Sequence, residues 1–431
     1  MREYFLEKLS DSEIQSLVSR PSIDFGDIVS NVREILNDVK ADRDRALAKY
    51  SRDFDGVELQ SFVVTKREIT EAESLIPSEV KEALRRAAAN IESFHRLQIP
   101  KEVEVETTEG VSCRLVWRAI RRVGLYVPGG AAPLASTVLM LALPARLAGC
   151  REIVLCTPPA KTGPPAPEIL YAAALCGVKK IFTVGGAQAI AAMGIGTETV
   201  PKVDKIFGPG NRFVATAKAL ISQPPFNVAI DMLAGPSELL VVADETANPR
   251  WVAADLLSQA EHGADSQVVL ITNSTVVAAR VQQELARQVE SLPRSQTIAR
   301  ALHESFVIIA PDLSKTVEFV NLYAPEHLIL AVSEADNLAL EVNNAGSVFI
   351  GPHSSVVFGD YASGTNHTLP TGGTAAAVGS LTVQSFMKPV AFQTVTGSGF
   401  RSLAETVKLL ARAEGLEAHA RAVESREEAY D

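Results

Sequence analysis

Residues 152–193 read EIVLCTPPAKTGPPAPEILYAAALCGVKKIFTVGGAQAIAAM. EIVLC and KIFTV are short apolar runs bounded by turn residues. Each precedes a longer apolar segment, EILYAAALC or AQAIAAM, and Gly177 closes the first. Strand, helix, strand, helix is the pattern of a parallel α/β unit. The pattern extends outward on both sides. Upstream, CRLVWRAI and VGLYV read as strands and STVLMLALPARLA as a helix with Gly149 after it. Downstream, strand KIFG leads into helix NRFVATAKALI.

A second alternating set follows. SELLVVA, SQVVLIT, FVIIA, HLILAVS and SVFIG read as strands. NPRWVAADLLSQAEHG, VVAARVQQELARQVESL, LSKTVEFVNLY and NLALEVNNA read as the helices between them. Two open parallel sheets in one chain predict a cleft between them, with sites beyond the strand C-termini. The first hundred residues read as helices, DIVSNVREILNDVKADRDRALAKY and PSEVKEALRRAAANIESFHRLQ, with TEAE at Thr70–Glu73 as a capping box. After about residue 380, FRSLAETVKLLARAEGLEAHARAVESREEAY reads as two helices broken at Gly415. A terminal pair of this kind suits docking on a partner subunit.

The 431 residues allow two or three domains, and 47% hydrophobic with 21% charged residues is ordinary for a soluble globular enzyme. A net charge of −10 without a basic block argues against nucleic acid as a partner. The charged start MREYFLEKLSDSE lacks the apolar core of a signal peptide. The expected location is the cytosol, or an organelle where a transit peptide has been removed. The most apolar run, APLASTVLMLALPARLAG, is broken by Pro144 and Arg146 and is too short to span a membrane. None of Cys113, Cys150, Cys156 and Cys176 forms a CxxC pair. They read as buried thiols, with Cys113 and Cys156 the two whose surroundings would suit a nucleophile.

The dinucleotide fingerprint GxGxxG is missing. The three G-x-G pairs lead to Thr199, Phe213 and Ser402 where a third glycine is required. Any nucleotide would therefore sit on other turns: VGLYVPGGAAPLAST, TVGGAQA and FGPGNRF each follow a strand and precede a helix.

Seven histidines occur. His95 and His303 fall on ordinary helices, whereas His262, His327, His353, His367 and His419 fall in polar settings. In NPRWVAADLLSQAEHG, Pro249 opens a helix, Gly263 would cap it, and Gln259 and His262 share a face. With Asp360 in FGDYASGTNH and one further histidine they would make a thiolate-free zinc site, suited to catalysis or substrate holding. APEHL sets Glu326 beside His327. Neighbours on a strand face opposite ways, but in a turn both can serve one centre as proton acceptors.

Several segments together resemble the histidinol dehydrogenase family: IDMLAGPSELLVVADETANPRWVAADLLSQAEH, GLYVPGG, VGGAQAIAAMGIGTE, VDKIFGPGN, YAPEHL, AGSVFIG, GDYASGTNHTLPT and AEGLEAHA. They span roughly 115–420 in the family's order. The resemblance implies an α/β fold of two incomplete Rossmann-like, aldehyde-dehydrogenase-like parallel-sheet domains with small helical N- and C-terminal extensions. The implied parts are an arm over 1–25, a first domain over 26–128 and 238–381 carrying the zinc and catalytic residues, an NAD-binding domain over 129–237, and an extension over 382–431 that reaches the partner. It implies oxidation of L-histidinol to L-histidine through L-histidinal, the last step of histidine biosynthesis, with two NAD+ and one Zn2+ per subunit. Gln259, His262, Asp360 and His419 would hold zinc; Glu326 and His327 would be catalytic; Tyr126, Gln188 and Asn211 would hold NAD+. Ser237, His367 and Glu414 would touch the substrate, together with His327 and the zinc ligands. The family is homodimeric, and Glu414 and His419 would complete the partner's site. No thiol is needed, so Cys113 and Cys156 become structural. Pro389 and Val390 depart from the family pattern, which has a more polar, basic pair there. The alternatives are a paralogous zinc-dependent dehydrogenase of another amino alcohol, against which the retained Asp360, Glu414 and His419 argue, and a non-catalytic zinc-binding or assembly protein, against which Glu326 and His327 argue.

Overall fold

The computed structural model describes residues 1–20, 26–129, 133–160, 163–233, 235–310 and 312–427. The chain divides into two units, Met1–Gln98 with Ile120–Phe386, and Ile99–Ala119 with Met387–Asp431.

The first unit contains two all-parallel sheets. The six-stranded sheet runs in the order Arg2–Phe5, Phe306–Ile309, Gln267–Thr272, Glu238–Ala243, His327–Ala331, Ser347–Ile350. Every residue of Glu238–Ala243 and Gln267–Thr272 is buried, because helices cover both faces and the strands become continuous apolar runs. Leu239, Val241, Val268 and Leu270 pack on one side against Leu256 and Val281. Leu240, Val242, Val269 and Ile271 pack on the other against Val320 and Tyr323.

The five-stranded sheet runs Lys180–Thr183, Glu152–Thr157, Arg122–Tyr126, Lys205–Phe207, Ala229–Ile230. The strands and helices expected around 152–193 form here. The most apolar run becomes the helix Ala135–Leu147, buried almost all round with Pro144 inside it. Leu139, Met140 and Leu141 are fully buried, each contributing about 2 kcal/mol. Among the described residues no helix is long and apolar enough to cross a membrane.

The turn after Lys205–Phe207 is held by a buried ion pair. Lys218 and Asp231 pair with each other, each 2% exposed. Lys218 Nζ also donates to the Gly208 carbonyl (2.9 Å), and Asp231 accepts from the Gly208 N–H (2.8 Å). Gly208 has φ +121°, and a Cβ there would collide with the Tyr126 carbonyl oxygen, so only glycine lets this turn close against the neighbouring strand end.

Several elements differ from expectation. Arg2–Phe5, expected within a helical arm, is a parallel edge strand. Helix Gly26–Asp42 places Val32, Ile35, Leu36 and Val39 in the core shared with Val154 and Ile206. It therefore packs on the five-stranded sheet, although 26–128 was assigned to the domain of the other sheet. Arg43, at φ 52°, separates this helix from Asp44–Tyr50. The capping box is Thr65 with Glu68, whereas Thr70 bonds back to the Lys66 carbonyl within the helix. The helix expected over NLALEVNNA is confined to Ala335–Ala339.

The second unit is a three-stranded antiparallel sheet, Met387–Val395, Val111–Ala119, Val103–Thr108 in that order, with helices Gly397–Ala413 and Glu417–Glu427. CRLVWRAI thus pairs antiparallel with 387–395 and does not join the parallel unit. Its mixed burial, unlike the fully buried parallel strands, reflects this. Pro389 is tolerated because its strand is at the sheet edge. Gly415, at φ +75°, separates the two helices as expected.

Candidate active site

Helix Leu313–Tyr323 ends at Ala324, which adopts a left-handed conformation with φ 47°. Pro325 and Glu326 form the turn, and His327 begins the next strand. Because Glu326 precedes the strand, the opposite-face rule does not separate the pair. Glu326 Oε2 lies 3.6 Å from His327 Nδ1. Both are nearly buried, and both are anchored on the backbone of Glu238 across the sheet. The Glu238 N–H donates to Glu326 Oε2 (2.8 Å), and its carbonyl is 3.0 Å from His327 Nδ1. A carbonyl can only accept, so Nδ1 carries the proton and Nε2 is left as the basic nitrogen. Nε2 is sealed from solvent without a hydrogen-bond partner, 3.6 Å from Asp360 Oδ1. Burial would push this imidazole down, but the Glu326 and Asp360 carboxylates outweigh it and lift it to about 10. Asp360 moves the other way: burial would raise it, and His327, with His367 and His262 behind it, brings it below its ordinary value. Gly346 passes so close to the Glu326 carbonyl that a Cβ would collide with it.

The Glu238 side chain, 1% exposed, is itself clamped. Arg20 grips both its oxygens (2.8 and 2.9 Å), the Gly372 N–H donates to it (3.0 Å), and the guanidinium lies 3.7 Å over the Tyr323 ring. Neither Glu238 nor Arg20 was singled out from the sequence. Glu238 reads as the edge of an apolar strand, and Arg20 is far from it in the chain.

The helix carrying Gln259 ends at Ala260, so His262 lies beyond it and Gly263 is not its cap. The His262 N–H bonds to the Gln259 carbonyl (3.2 Å). Gln259 is 1% exposed, and neither its Oε1 nor its Nε2 has a partner; His262 is exposed. A buried primary amide with no partner on either atom is costly, by about 1–3 kcal/mol per unmet group, and marks a place where another polar group or cation enters. Asp360 closes the short helix Val356–Tyr361. Its carbonyl is 2.8 Å from His367 Nδ1, and His367 Nε2 is 3.2 Å from Thr137 Oγ1. Ser237 stands immediately before strand Glu238–Ala243. Among the described residues no three His, Cys, Asp or Glu side chains gather to hold a metal; Gln259, His262 and Asp360 amount to an amide and two such groups. Glu414 and His419 belong to the second unit, where both are exposed.

These groups lie at the strand starts of the six-stranded sheet, not beyond the C-termini as expected. Glu238 and His327 are first in their strands, and Gln259 is near the C-terminus of the helix that returns the chain to a strand start. The second cluster does follow the rule. Tyr126, Gln188 and Asn211 follow or end strands of the five-stranded sheet and line one cavity of about 620 Å3. The Gly186 N–H donates to the Tyr126 hydroxyl oxygen (3.0 Å), and burial pushes that hydroxyl up to about 12. Gln188 is 1% exposed with its Oε1 unpartnered. Asn211 caps helix Arg212–Ile221 through Oδ1 (3.0 and 3.1 Å).

The remaining candidates have ordinary settings. His95 is fully buried with Nδ1 2.8 Å from the Ile91 carbonyl, His303 is exposed beside Glu304, and His353 is exposed near Trp251. Cys156 is fully buried and pushed far above the thiol range, which makes it inert. Cys113 is half-buried in the second unit.

Buried acid–base groups on a parallel α/β frame place the molecule among α/β enzymes, and similarity defines which. A sequence model described as histidinol dehydrogenase matches residues 18–427. The histidinol dehydrogenase of Mannheimia succiniciproducens is 51% identical over 427 residues, 99% of each chain. That of Salmonella typhimurium is 51% identical over 415 residues, covering 96% of this chain and 95% of its own. The crystal structure of histidinol dehydrogenase from Elizabethkingia anophelis superposes with a TM-score of 0.96 at 47% identity, covering 100% of this chain and 98% of that one. The chain belongs to the histidinol dehydrogenase family and is an oxidoreductase.

Proposed function

We propose that this chain oxidises L-histidinol to L-histidine through L-histidinal, consuming two NAD+ and holding one Zn2+ per subunit of a cytosolic homodimer. The observation that carries the reading is the Glu326–His327 pair, hung on the Glu238 backbone with Nε2 facing Asp360, together with the buried, unpartnered amide of Gln259. Gln259, His262, Asp360 and His419 of the partner subunit would hold zinc, and the sealed amide of Gln259 fits that use. Bound zinc would fix the substrate by its imidazole and amino nitrogens. Tyr126, Gln188 and Asn211 would hold NAD+, which supplies the hydride acceptor.

The rest is the work of side chains. Ser237, His367 and the partner's Glu414 orient the amino alcohol. His327 Nε2 takes the hydroxyl proton as hydride leaves the carbinol carbon, giving the aldehyde. Once Asp360 is neutralised by a cation, the imidazole loses one source of lift, which favours Nε2 as a base. An aldehyde has no hydroxyl to oxidise, so Glu326 next takes a proton from water as its oxygen adds to the carbonyl carbon, while the His327 imidazolium gives its proton to the carbonyl oxygen and is restored as a base. The resulting gem-diol is oxidised as the alcohol was, with His327 again taking the proton. Burial of both groups excludes bulk water between the two oxidations.

The deciding experiment measures NADH from L-histidinol with metal-free and zinc-restored protein side by side. Two NADH per histidinol, lost on chelation and regained with zinc, is the expected result. No NADH from folded, zinc-loaded protein would sink the reading, and a panel of other amino alcohols would follow.

Glu326→Gln separates the half-reactions. The amide oxygen can still accept from the Glu238 N–H, so the fold should hold. Oxidation of L-histidinal is expected to fall by about 10^2-fold, and alcohol oxidation by much less. Equal losses in both would contradict the role of Glu326.

A further inference from the structure

The cavity around Tyr126, Gln188 and Asn211 has a second wall, supplied by Glu34, Lys49, Tyr50, Phe54 and Asp55. Phe54 leaves 62% of its surface exposed, and its ring stacks on Tyr50 with centroids 5.3 Å apart. Asp55 follows it directly. Its Oδ2 is sealed from solvent and has no hydrogen-bond partner. Burial pushes this carboxyl up to about 6, and its charge reaches Tyr126 on the facing wall. Gln188 Oε1, also buried and unpartnered, lines the same space. Among the described residues lining the cavity there is no arginine, and the one lysine, Lys49, is held by Asp38 at 2.8 Å.

An open aromatic face beside a carboxylate with an idle oxygen has the chemistry of an adenosine site. The base can stack on the ring, and the adjoining ribose presents two hydroxyl donors. A ribose 2′-phosphate presents negative charge instead, and Glu34 and Asp55 oppose it with no free cation in the wall to offset them. We infer that Asp55 accepts hydrogen bonds from the adenosine ribose hydroxyls and makes this cavity select NAD+ over NADP+. The inference rests on the dinucleotide reading of the cavity. It adds a specificity residue on the short π-helical segment Ser51–Asp55, outside the strand-to-helix turns where such a carboxylate would be sought.

Calorimetric titration of the full-chain protein with NAD+ and with NADP+ tests it without turnover. Wild type should bind NAD+ at least about tenfold more tightly than NADP+. Asp55→Asn should weaken NAD+ by about tenfold and leave NADP+ unchanged or tighter, bringing the two constants together. Asp55→Ser, measured alongside with thermal melts, separates a folding loss from a binding loss, and the folded variants should show the same convergence. Constants within about twofold of wild type for both ligands, or a wild type without preference for NAD+, would overturn the inference. A wild type that binds neither dinucleotide would overturn the cofactor reading itself, and this inference with it.

Discussion

His327→Ala is expected to lower kcat by about 10^3-fold while zinc content and NAD+ affinity stay near wild type. The size follows from the position of the imidazole. Nδ1 is committed to the Glu238 carbonyl, so Nε2 is the one ring position at which a proton can be taken up and released. No other unpartnered ring nitrogen is found among the buried side-chain atoms of the described residues. His367, the nearest alternative, has one nitrogen against the Asp360 carbonyl and the other against Thr137. Deleting the ring therefore removes the proton acceptor from both oxidations and leaves the proposed zinc and NAD+ groups in place. His327→Asn is the companion variant, because its amide can still donate to the Glu238 carbonyl and fill part of the space. Both variants should lose kcat far more than they raise KM. Turnover near wild type in either would remove His327 from the mechanism; loss of zinc together with activity would assign it to the metal.

The parallel frame was legible because buried strands and helices differ in length and punctuation. EIVLC, KIFTV and SELLVVA are bounded by turns, and their helices end at glycines such as Gly149 and Gly177. Arg2–Phe5 was not legible. REYF has too few apolar residues to signal a strand, and it forms because Phe306–Ile309 offers an edge to pair with. The site was legible as residue types but not as geometry. Spacing set Gln259 near His262 without revealing that one is sealed and the other exposed. It set Glu326 beside His327 without revealing that the turn lets them converge. The clamp beneath them, Arg20 on Glu238, is formed between distant segments, and no periodicity encodes such a pair. Phe54 and Asp55 were hidden for a similar reason: the amphipathic helices before them read as packing, while their task is to wall a cavity on the other sheet.

Mixing a His262→Ala protein with a His419→Ala protein, each inactive alone, is expected to restore about a quarter of wild-type activity once subunits exchange. The expectation follows from the ligand assignment and its division between chains. His262 sits with Gln259 and Asp360 in the first unit, and His419 sits in the second. If each site takes His419 from the partner subunit, a heterodimer has one site lacking both histidines and one lacking neither. Random exchange of an equal mixture makes half the dimers hetero, each with one intact site of two. The surface around Glu414 and His419 favours this arrangement. Val407, Leu409, Leu410 and Leu416 are exposed there, an apolar group of the kind that a second copy of the chain covers. Recovery should follow exchange in time, which mixing differently tagged subunits would follow independently. Confirmed exchange with no recovery would mean that the site is built within one chain. His419 would then have to reach Gln259 and Asp360 of its own chain, and either substitution alone would disable its own subunit whatever it is paired with.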